Sequence, residues 1–170
     1  AVFPELCLTG YTCGDLFTQQ KLSESVKQNL LKLAEESHSL PMISVIGAPI
    51  THYGKLYNCG VVLYGGKILG IVPKTEIPNY AEFYEARNFC AAPEMNGTVR
   101  IGEDEIPFGK RLLFCCNEMP EFIFGIEICE DLWVCQPPST GHAIAGATVI
   151  LNLSASNEIV GKADFRRQLV

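Results

Sequence analysis

The sequence has no segment suited to crossing a membrane and none that is typical of export. No window approaches the roughly 20 consecutive apolar residues that a membrane-spanning helix needs, and the first residues lack the basic, apolar and small-residue order of a signal peptide. These absences argue against a membrane protein and a secreted protein. They predict a soluble, cytosolic protein with no membrane partner.

Positive charge is also scarce. The 170 residues include 13 Lys and Arg against 19 Asp and Glu, for a formal net charge of −6, and the basic residues are scattered along the chain. Nucleic-acid-binding domains usually carry a basic patch or stripe. We therefore expect no nucleic-acid partner.

Metal sites and disulfides are poorly supported. The eight cysteines form no CxxC pair, and His38, His52 and His142 lie far apart in the sequence, away from cysteine or carboxylate clusters. Zinc ligands usually recur at short, regular spacings, so we predict no metal centre. Most of the cysteines lie in apolar runs, where cysteine packs as a small hydrophobic residue.

The sequence does contain enough apolar residues for one domain with a core, since 48% of its 170 residues are hydrophobic. Helical spacing of apolar residues predicts a helix from Asp15, its expected N-cap, to about Ser37. A hairpin is predicted around Gly65-Gly66. The remaining pattern alternates strands and helices, which indicates a layered α/β domain. The predicted strands cover residues 43–49, 57–64, 67–72, 111–116, 121–126 and 148–153, with short extended stretches at 99–101 and 106–108 and helices at 137–146 and after Gly161.

Both ends of the sequence resemble interrupted elements. The chain has no initiator methionine, opens on Ala1-Val2-Phe3 like the end of a buried strand, and closes at Val170 within a helical pattern. We expect residues 1–170 to be a single domain cut at both ends, and so a fragment of a longer protein.

Distinctive polar residues follow several predicted strands. Glu5, Lys74 and Cys129 each come directly after a strand, as does the turn at 154–157. Parallel strands that end on one sheet edge would bring these residues together. A cysteine nucleophile needs a base to take its proton, and the oxyanion that its attack creates needs donors. Position alone leaves the ordinary alternatives open: a surface carboxylate, a surface lysine and an inert buried thiol.

Three segments around these residues resemble the signature blocks of the nitrilase, or carbon-nitrogen hydrolase, superfamily, in the same order. This resemblance implies a four-layer αββα sandwich, incomplete at both ends. It also implies Glu5 as general base, Lys74 as oxyanion stabiliser and Cys129 as nucleophile. The segments are Pro4-Glu5-Leu-Cys-Leu-Thr-Gly-Tyr11, Pro73-Lys74-Thr-Glu-Ile-Pro-Asn-Tyr80 with its continuation to Arg87, and Gly125-Ile-Glu-Ile-Cys129-Glu-Asp-Leu-Trp133.

Within the superfamily, residues 79–80, 83–85 and 129–133 resemble the glutaminase domain of glutamine-dependent NAD synthetases more than other branches. By this resemblance one of two nearby carboxylates orients the lysine, and the sequence does not choose between Glu82 and Glu85. The glutamine-binding residues that it implies are Tyr80, Ser156 and Lys162, with Phe83 as a pocket wall and the Glu130 N–H in the oxyanion hole.

The implied activity is hydrolysis of glutamine to glutamate and ammonia through a cysteine thioester, without a cofactor. ATP and magnesium would belong to a synthetase domain of the parent protein, which is absent from this sequence: it contains no Gly-rich ATP-binding segment and no GxxxxGK loop followed by Ser or Thr. The family also implies assembly into homo-oligomers. Two alternatives remain, a stand-alone amidase or carbamoyl hydrolase of the same superfamily and an inactive fragment.

Overall fold

Eight β-strands, three α-helices and four 3-10 turns make up the chain in the computed structural model, which describes residues 1–170. None of the helices combines the length and the apolar character needed to cross a bilayer. The strands are β1 (Ser44–His52), β2 (Lys55–Tyr64), β3 (Lys67–Pro73), β4 (Gly97–Ile101), β5 (Asp104–Phe108), β6 (Leu113–Cys115), β7 (Ile123–Ile128) and β8 (Val149–Leu153). The helices are α1 (Gln20–Glu36), α2 (Pro138–Ile144) and α3 (Lys162–Leu169), and the 3-10 turns are Gly14–Thr18, Ser37–Ser39, Glu85–Arg87 and Cys129–Trp133.

The first sheet has the strand order β1-β2-β3-β5-β4. Strands β1 to β3 are antiparallel neighbours, and β3 pairs in parallel with β5. The turn between β2 and β3 has φ values of 58° at Gly65 and 85° at Gly66, a left-handed conformation that glycine adopts without strain. The predicted hairpin is confirmed, and it delivers the chain to Lys74 directly after β3.

The second sheet has the order β6-β7-β8, and its last two strands are parallel. A parallel pair needs a crossover, which residues 129–148 provide through the predicted helix α2. Ile128, the last residue of β7, pairs with Leu153, the last residue of β8. The residues that follow, Cys129 and Ser154, therefore start from adjacent strand ends.

Two hydrophobic clusters flank the first sheet. Apolar residues of α1 at helical spacing, Val26, Leu30 and Ala34, pack on one of its faces. The opposite face packs against the second sheet, and Gly60 permits close approach because a Cβ there would lie 3.1 Å from Ile126 Cγ2. The predicted mixed α/β class is confirmed. The inter-sheet cluster contains Val45, Val62, Val72, Phe124, Ile126, Ile128, Cys129 and Leu153.

The start of the first helix differs from the prediction. Asp15 is not an N-cap: it lies in the 3-10 turn Gly14–Thr18, and the α-helix begins at Gln20, after Gln19 in an extended conformation with ψ of 124°. The Asp15 carboxylate instead accepts a hydrogen bond from Arg87 at 2.8 Å. This partner is distant in the sequence, so the local pattern could not reveal it.

Candidate active site

A buried lysine lies between two carboxylates at the end of β3. Lys74 Nζ donates to Glu5 Oε1 at 2.6 Å and to Glu85 Oε1 at 2.7 Å, and all three residues are buried. Burial alone would lower the pKa of Lys74, but the two carboxylates outweigh it and raise this pKa above its usual value. Lys74 is therefore a fixed cation able to stabilise negative charge that develops nearby.

The Glu5 carboxylate is held by two further chain segments. Its Oε1 also accepts from Asn58 Nδ2 at 2.7 Å, and its Oε2 accepts from the Ala155 N–H at 3.1 Å. Sequence reasoning missed Asn58, although a lone amide within the apolar run of β2 was an available signal. Asn58 is fully buried, and its Oδ1 has no hydrogen-bond partner. A buried, unpaired acceptor is costly, and the hydrogen bond that Asn58 donates to Glu5 offsets part of this cost.

The turn that carries Glu5 fits against β1 only because Gly47 has no side chain. A Cβ on Gly47 would lie 2.3 Å from Leu6 N and 2.4 Å from Pro4 O. Leu6 itself has φ of 53°, which is uncommon for a non-glycine residue. The turn is therefore tightly constrained, and Gly47 is a second residue that sequence reasoning missed.

Replacing Gly47 with alanine is expected to push this turn away from β1 and to move the Glu5 carboxylate from Lys74. Overpacking of this kind costs about 1–3 kcal/mol of unfolding free energy, and a shift of about 1 Å in a reacting group can lower the rate roughly hundredfold. Denaturant unfolding measures the first effect, and the rate of the amide hydrolysis expected from the family resemblance measures the second. Gly97→Ala is the matched control, since a Cβ on this strand glycine meets no atom within 4 Å. Equal losses in the two variants would contradict the expectation.

Cys129 begins the 3-10 turn that follows β7. The residue is 7% exposed and has φ of 48°, and its Sγ accepts a hydrogen bond from Ser154 Oγ at 3.4 Å. Burial and the negative charge of Glu5 raise the pKa of the Cys129 thiol, while the Ser154 hydrogen bond and the Lys74 charge act to lower it. The resting thiol therefore keeps its proton at neutral pH and needs a base before it can attack.

The end of β8 connects the thiol to the carboxylate. Ser154 contacts Cys129, and the N–H of the next residue, Ala155, donates to Glu5. The structure thus brings Glu5, Lys74 and Cys129 together where strand ends of the two sheets meet, and not at one edge of a single sheet: Lys74 follows β3 of the first sheet and Cys129 follows β7 of the second. A thiol, a carboxylate and a fixed cation in this arrangement suit nucleophilic attack on an acyl group.

A cavity of about 300 Å³ opens over Cys129, and every residue assigned to substrate binding from the sequence lines it. Its walls also include Trp133, which sequence reasoning left without a role although it closes the third signature block. Lys162 Nζ lies 5.7 Å from the centre of the Trp133 ring. The cavity is lined by Pro78, Tyr80, Glu82, Phe83, Cys129, Glu130, Trp133, Ser156, Asn157, Ile159 and Lys162.

The polar groups of the cavity are paired with one another. The Tyr80 hydroxyl lies 2.9 Å from Glu130 Oε1, and Lys162 Nζ donates to Ser156 Oγ and, at 2.9 Å, to the Asn157 carbonyl oxygen. The Phe83 ring packs edge-on against Tyr80 with centroids 6.0 Å apart. The cavity thus presents a cation near one wall and a carboxylate near another.

Of the two carboxylates considered for orienting the lysine, Glu85 contacts Lys74, whereas Glu82 accepts a hydrogen bond from Asn157. Glu85 Oε1 also accepts from the Tyr11 hydroxyl at 2.7 Å. Burial and Glu85 raise the pKa of Tyr11, so the phenol stays protonated as a donor. No group of three or more His, Cys, Asp or Glu side chains in the chain is arranged to hold a metal ion.

Comparison with known proteins gives a consistent result. Residues 1–166 match the family described as carbon-nitrogen hydrolase. The chain is 46% identical over 169 residues to the glutamine-dependent NAD(+) synthetase of Mycobacterium tuberculosis and 29% identical over 177 residues to that of Homo sapiens. These matches cover 99% and 98% of this chain but 25% and 24% of the relatives, so the chain spans about a quarter of their length.

Solved structures agree with the fold. A glutamine-dependent NAD(+) synthetase from Cytophaga hutchinsonii superposes with a TM-score of 0.85 at 32% identity, over 99% of this chain and 27% of that one. A Nesterenkonia amidase from the nitrilase superfamily superposes with a TM-score of 0.68 at 14% identity, over 95% of this chain and 54% of that one, which supports the fold alone. The expected nitrilase-type α/β fold is confirmed. With its signature blocks meeting where the two sheets join and the family match extending over residues 1–166, the chain belongs to the carbon-nitrogen hydrolase family.

Proposed function

We propose that this chain hydrolyses the carbon–nitrogen bond of a linear amide, with glutamine as its substrate and glutamate and ammonia as its products. The observation that carries the proposal is the buried Lys74, bonded to Glu5 and Glu85 beside a cysteine that lines a cavity. Relatives named glutamine-dependent NAD(+) synthetases support glutamine in particular.

The first half of the reaction forms a thioester. Glu5 takes the proton of Cys129 while the sulfur attacks the amide carbon, and the tetrahedral oxyanion is stabilised by Lys74 and the Glu130 N–H. Collapse of this intermediate breaks the carbon–nitrogen bond, and the leaving nitrogen takes the proton that Glu5 holds. Ammonia departs, and the glutamyl group stays on sulfur.

The second half hydrolyses the thioester. Glu5 takes a proton from water as its oxygen attacks the thioester carbon, and the carbon–sulfur bond then breaks. The proton on Glu5 returns to the Cys129 thiolate, so the site regains its starting state. Protein side chains and water account for every proton and electron pair, so the proposed hydrolysis requires no cofactor.

The cavity has charges that suit both ends of an amino acid. Lys162 can pair with the glutamine carboxylate, with Ser156 as a further hydrogen-bond partner. Tyr80 and Glu130, or Glu82, can receive the ammonium group. Phe83 and Trp133 supply apolar walls for the methylene groups. This assignment leaves the side-chain amide directed at Cys129.

The released ammonia would serve NAD synthesis in a parent protein that carries a synthetase domain. Because the relatives are about four times as long as this chain, we assign ATP and magnesium to that further domain. Assembly into homo-oligomers and a cytosolic location remain predictions from the sequence and the family resemblance.

The substrate assignment predicts a preference that an amide panel measures. Initial rates of ammonia release from glutamine, short aliphatic amides and N-carbamoyl amino acids are compared by kcat/KM for the purified protein. Glutamine is expected to exceed the aliphatic amides by at least about a hundredfold, because these lack the carboxylate and the ammonium group that the charged residues of the cavity are proposed to bind. Dominant turnover of aliphatic amides or carbamoyl compounds would instead support the stand-alone amidase or carbamoyl hydrolase.

A further inference from the structure

Asp131 is a buried carboxylate that the proposed mechanism does not use. It lies two residues after Cys129 and is 1% exposed. Its Oδ1 accepts from the N–H groups of Thr75 at 3.0 Å and Glu76 at 2.7 Å, and its Oδ2 accepts from the N–H of Ile128 at 2.9 Å. Both carboxylate oxygens therefore bind backbone donors.

These donors belong to the two segments that carry the reacting groups. Thr75 and Glu76 directly follow Lys74, and Ile128 directly precedes Cys129. Strand β3, before Lys74, is in the first sheet, whereas β7, before Cys129, is in the second. No strand ladder joins the two sheets, so side-chain contacts across the interface must set the distance between Lys74 and Cys129. Asp131 supplies direct hydrogen bonds between the two segments.

The energetics favour a specific use for this side chain. Burial raises the pKa of Asp131 to about 7, while the backbone hydrogen bonds and the Lys74 charge act to lower it. A buried carboxylate is costly without such partners, and hydrogen bonds to a charged acceptor are among the stronger ones in proteins. An apolar residue would fill the space without the desolvation cost but could not accept the N–H groups.

We propose that Asp131 is a positioning residue for amide hydrolysis: its carboxylate holds the Lys74 segment of one sheet and the Cys129 segment of the other at a fixed separation. The inference rests on the proposed function, because it assigns Asp131 to the geometry of the same reaction. Asp131 has no hydrogen bond with a residue of the substrate cavity, so its effect falls on the chemical step more than on substrate binding.

The test is Asp131→Asn, which keeps the shape of the side chain but replaces one acceptor oxygen with an N–H donor. One backbone N–H then faces another donor, and the two segments shift apart. We expect kcat for glutamine to fall about a hundredfold, as a misplacement of about 1 Å can cause, while KM changes by less than about threefold. A variant that retains its fold by near-UV circular dichroism and has kcat within about twofold of the wild type would overturn the proposal.

Glu127→Gln is the matched control. Glu127 is also buried, on β7 just before the 3-10 turn that carries Asp131. It accepts the N–H of Ser139 at 3.2 Å and an Asn152 N–H at 3.3 Å, and neither partner belongs to the Lys74 segment. Even where Glu127→Gln lowers the free energy of unfolding as much as Asp131→Asn does, its kcat is expected to stay close to the wild-type value. An equal fall in kcat in the control would show that general destabilisation explains both variants and would overturn the positioning role.

The hydrogen bonds of Asp131 can also be tested in the wild-type protein. Amide hydrogen exchange should show protection of the Thr75 and Glu76 N–H groups, which lie outside the strands and bond only to Asp131 among the side chains. Rapid exchange at both positions would overturn the link even if Asp131→Asn failed to fold. Failure of the proposed function looks different, because the wild type itself would then release no ammonia from glutamine.

Discussion

Replacing Cys129 with alanine is expected to abolish ammonia release from glutamine, with a fall in kcat on the order of 10⁴- to 10⁶-fold, as found when a catalytic nucleophile is removed. The thiol lines the cavity, and the charges of Glu5 and Lys74 both act on its pKa. No other cysteine borders this cavity, so none can replace it. Ammonia release, quantified with a coupled assay, measures the loss, and intact mass after a rapid quench detects the acyl-enzyme in the wild type.

The control for this substitution is Cys135→Ala. Cys135 lies six residues further along the chain and is exposed, and it has no contact with Glu5 or Lys74. Its replacement should leave kcat and KM close to the wild-type values. Ammonia release by Cys129→Ala at a rate near that of the wild type would exclude a cysteine nucleophile and with it the thioester route.

Replacing Lys74 with methionine is expected to lower both stability and activity. The change keeps a side chain of similar length but leaves Glu5 and Glu85 as neighbouring carboxylates without the cation that joins them. Breaking a buried ion pair by removing one partner costs about 3–5 kcal/mol. Loss of an oxyanion donor costs about 10²- to 10³-fold in kcat. Denaturant unfolding measures the first effect, and steady-state kinetics on the folded protein measure the second.

Lys110→Met is the matched control because Lys110 also forms an ion pair of 2.7 Å, with Glu94. That pair is at the surface, with the Glu94 side chain 76% exposed, and surface pairs contribute little because water screens them. We expect this variant to unfold and to catalyse like the wild type. A Lys74→Met protein with the stability and kcat of the control would contradict the role of the buried cation.

Much of the fold could be predicted from the sequence because its signals are local. The apolar spacing of α1, the glycine pair before β3 and the apolar run of β7 each reflect the period of one element. The predicted start of α1 was wrong by about one turn, because the N-cap is Gln19 and Asp15 instead pairs with Arg87, 72 positions away. A contact between residues so far apart in the chain cannot be recognised from the short stretch of sequence around either residue.

The candidate site also has one part that the sequence could predict and one part that it could not. The signature blocks proposed Glu5, Lys74 and Cys129 as site residues, and their positions after strands predicted that they would lie close together. The contribution of Asn58, by contrast, depends on an approach to Glu5 from 53 positions away. The choice of Glu85 over Glu82 also needed the fold, because the two residues are three positions apart and only their partners in space, Lys74 for Glu85 and Asn157 for Glu82, separate them.

By itself the sequence predicted the α/β class, because its apolar periodicity is local. Its resemblance to the carbon-nitrogen hydrolase family predicted the family and proposed Glu5, Lys74 and Cys129 as the reacting groups. Only the tertiary structure decided how those groups are held: Gly47 receives the Glu5 turn, Glu85 and Asn58 complete the charge network, and Asp131 joins two sheets that share no ladder. The physical reason is that hydrogen bonds and close approaches act over a few ångströms in space, whereas their partners are separated by up to 150 residues in the chain.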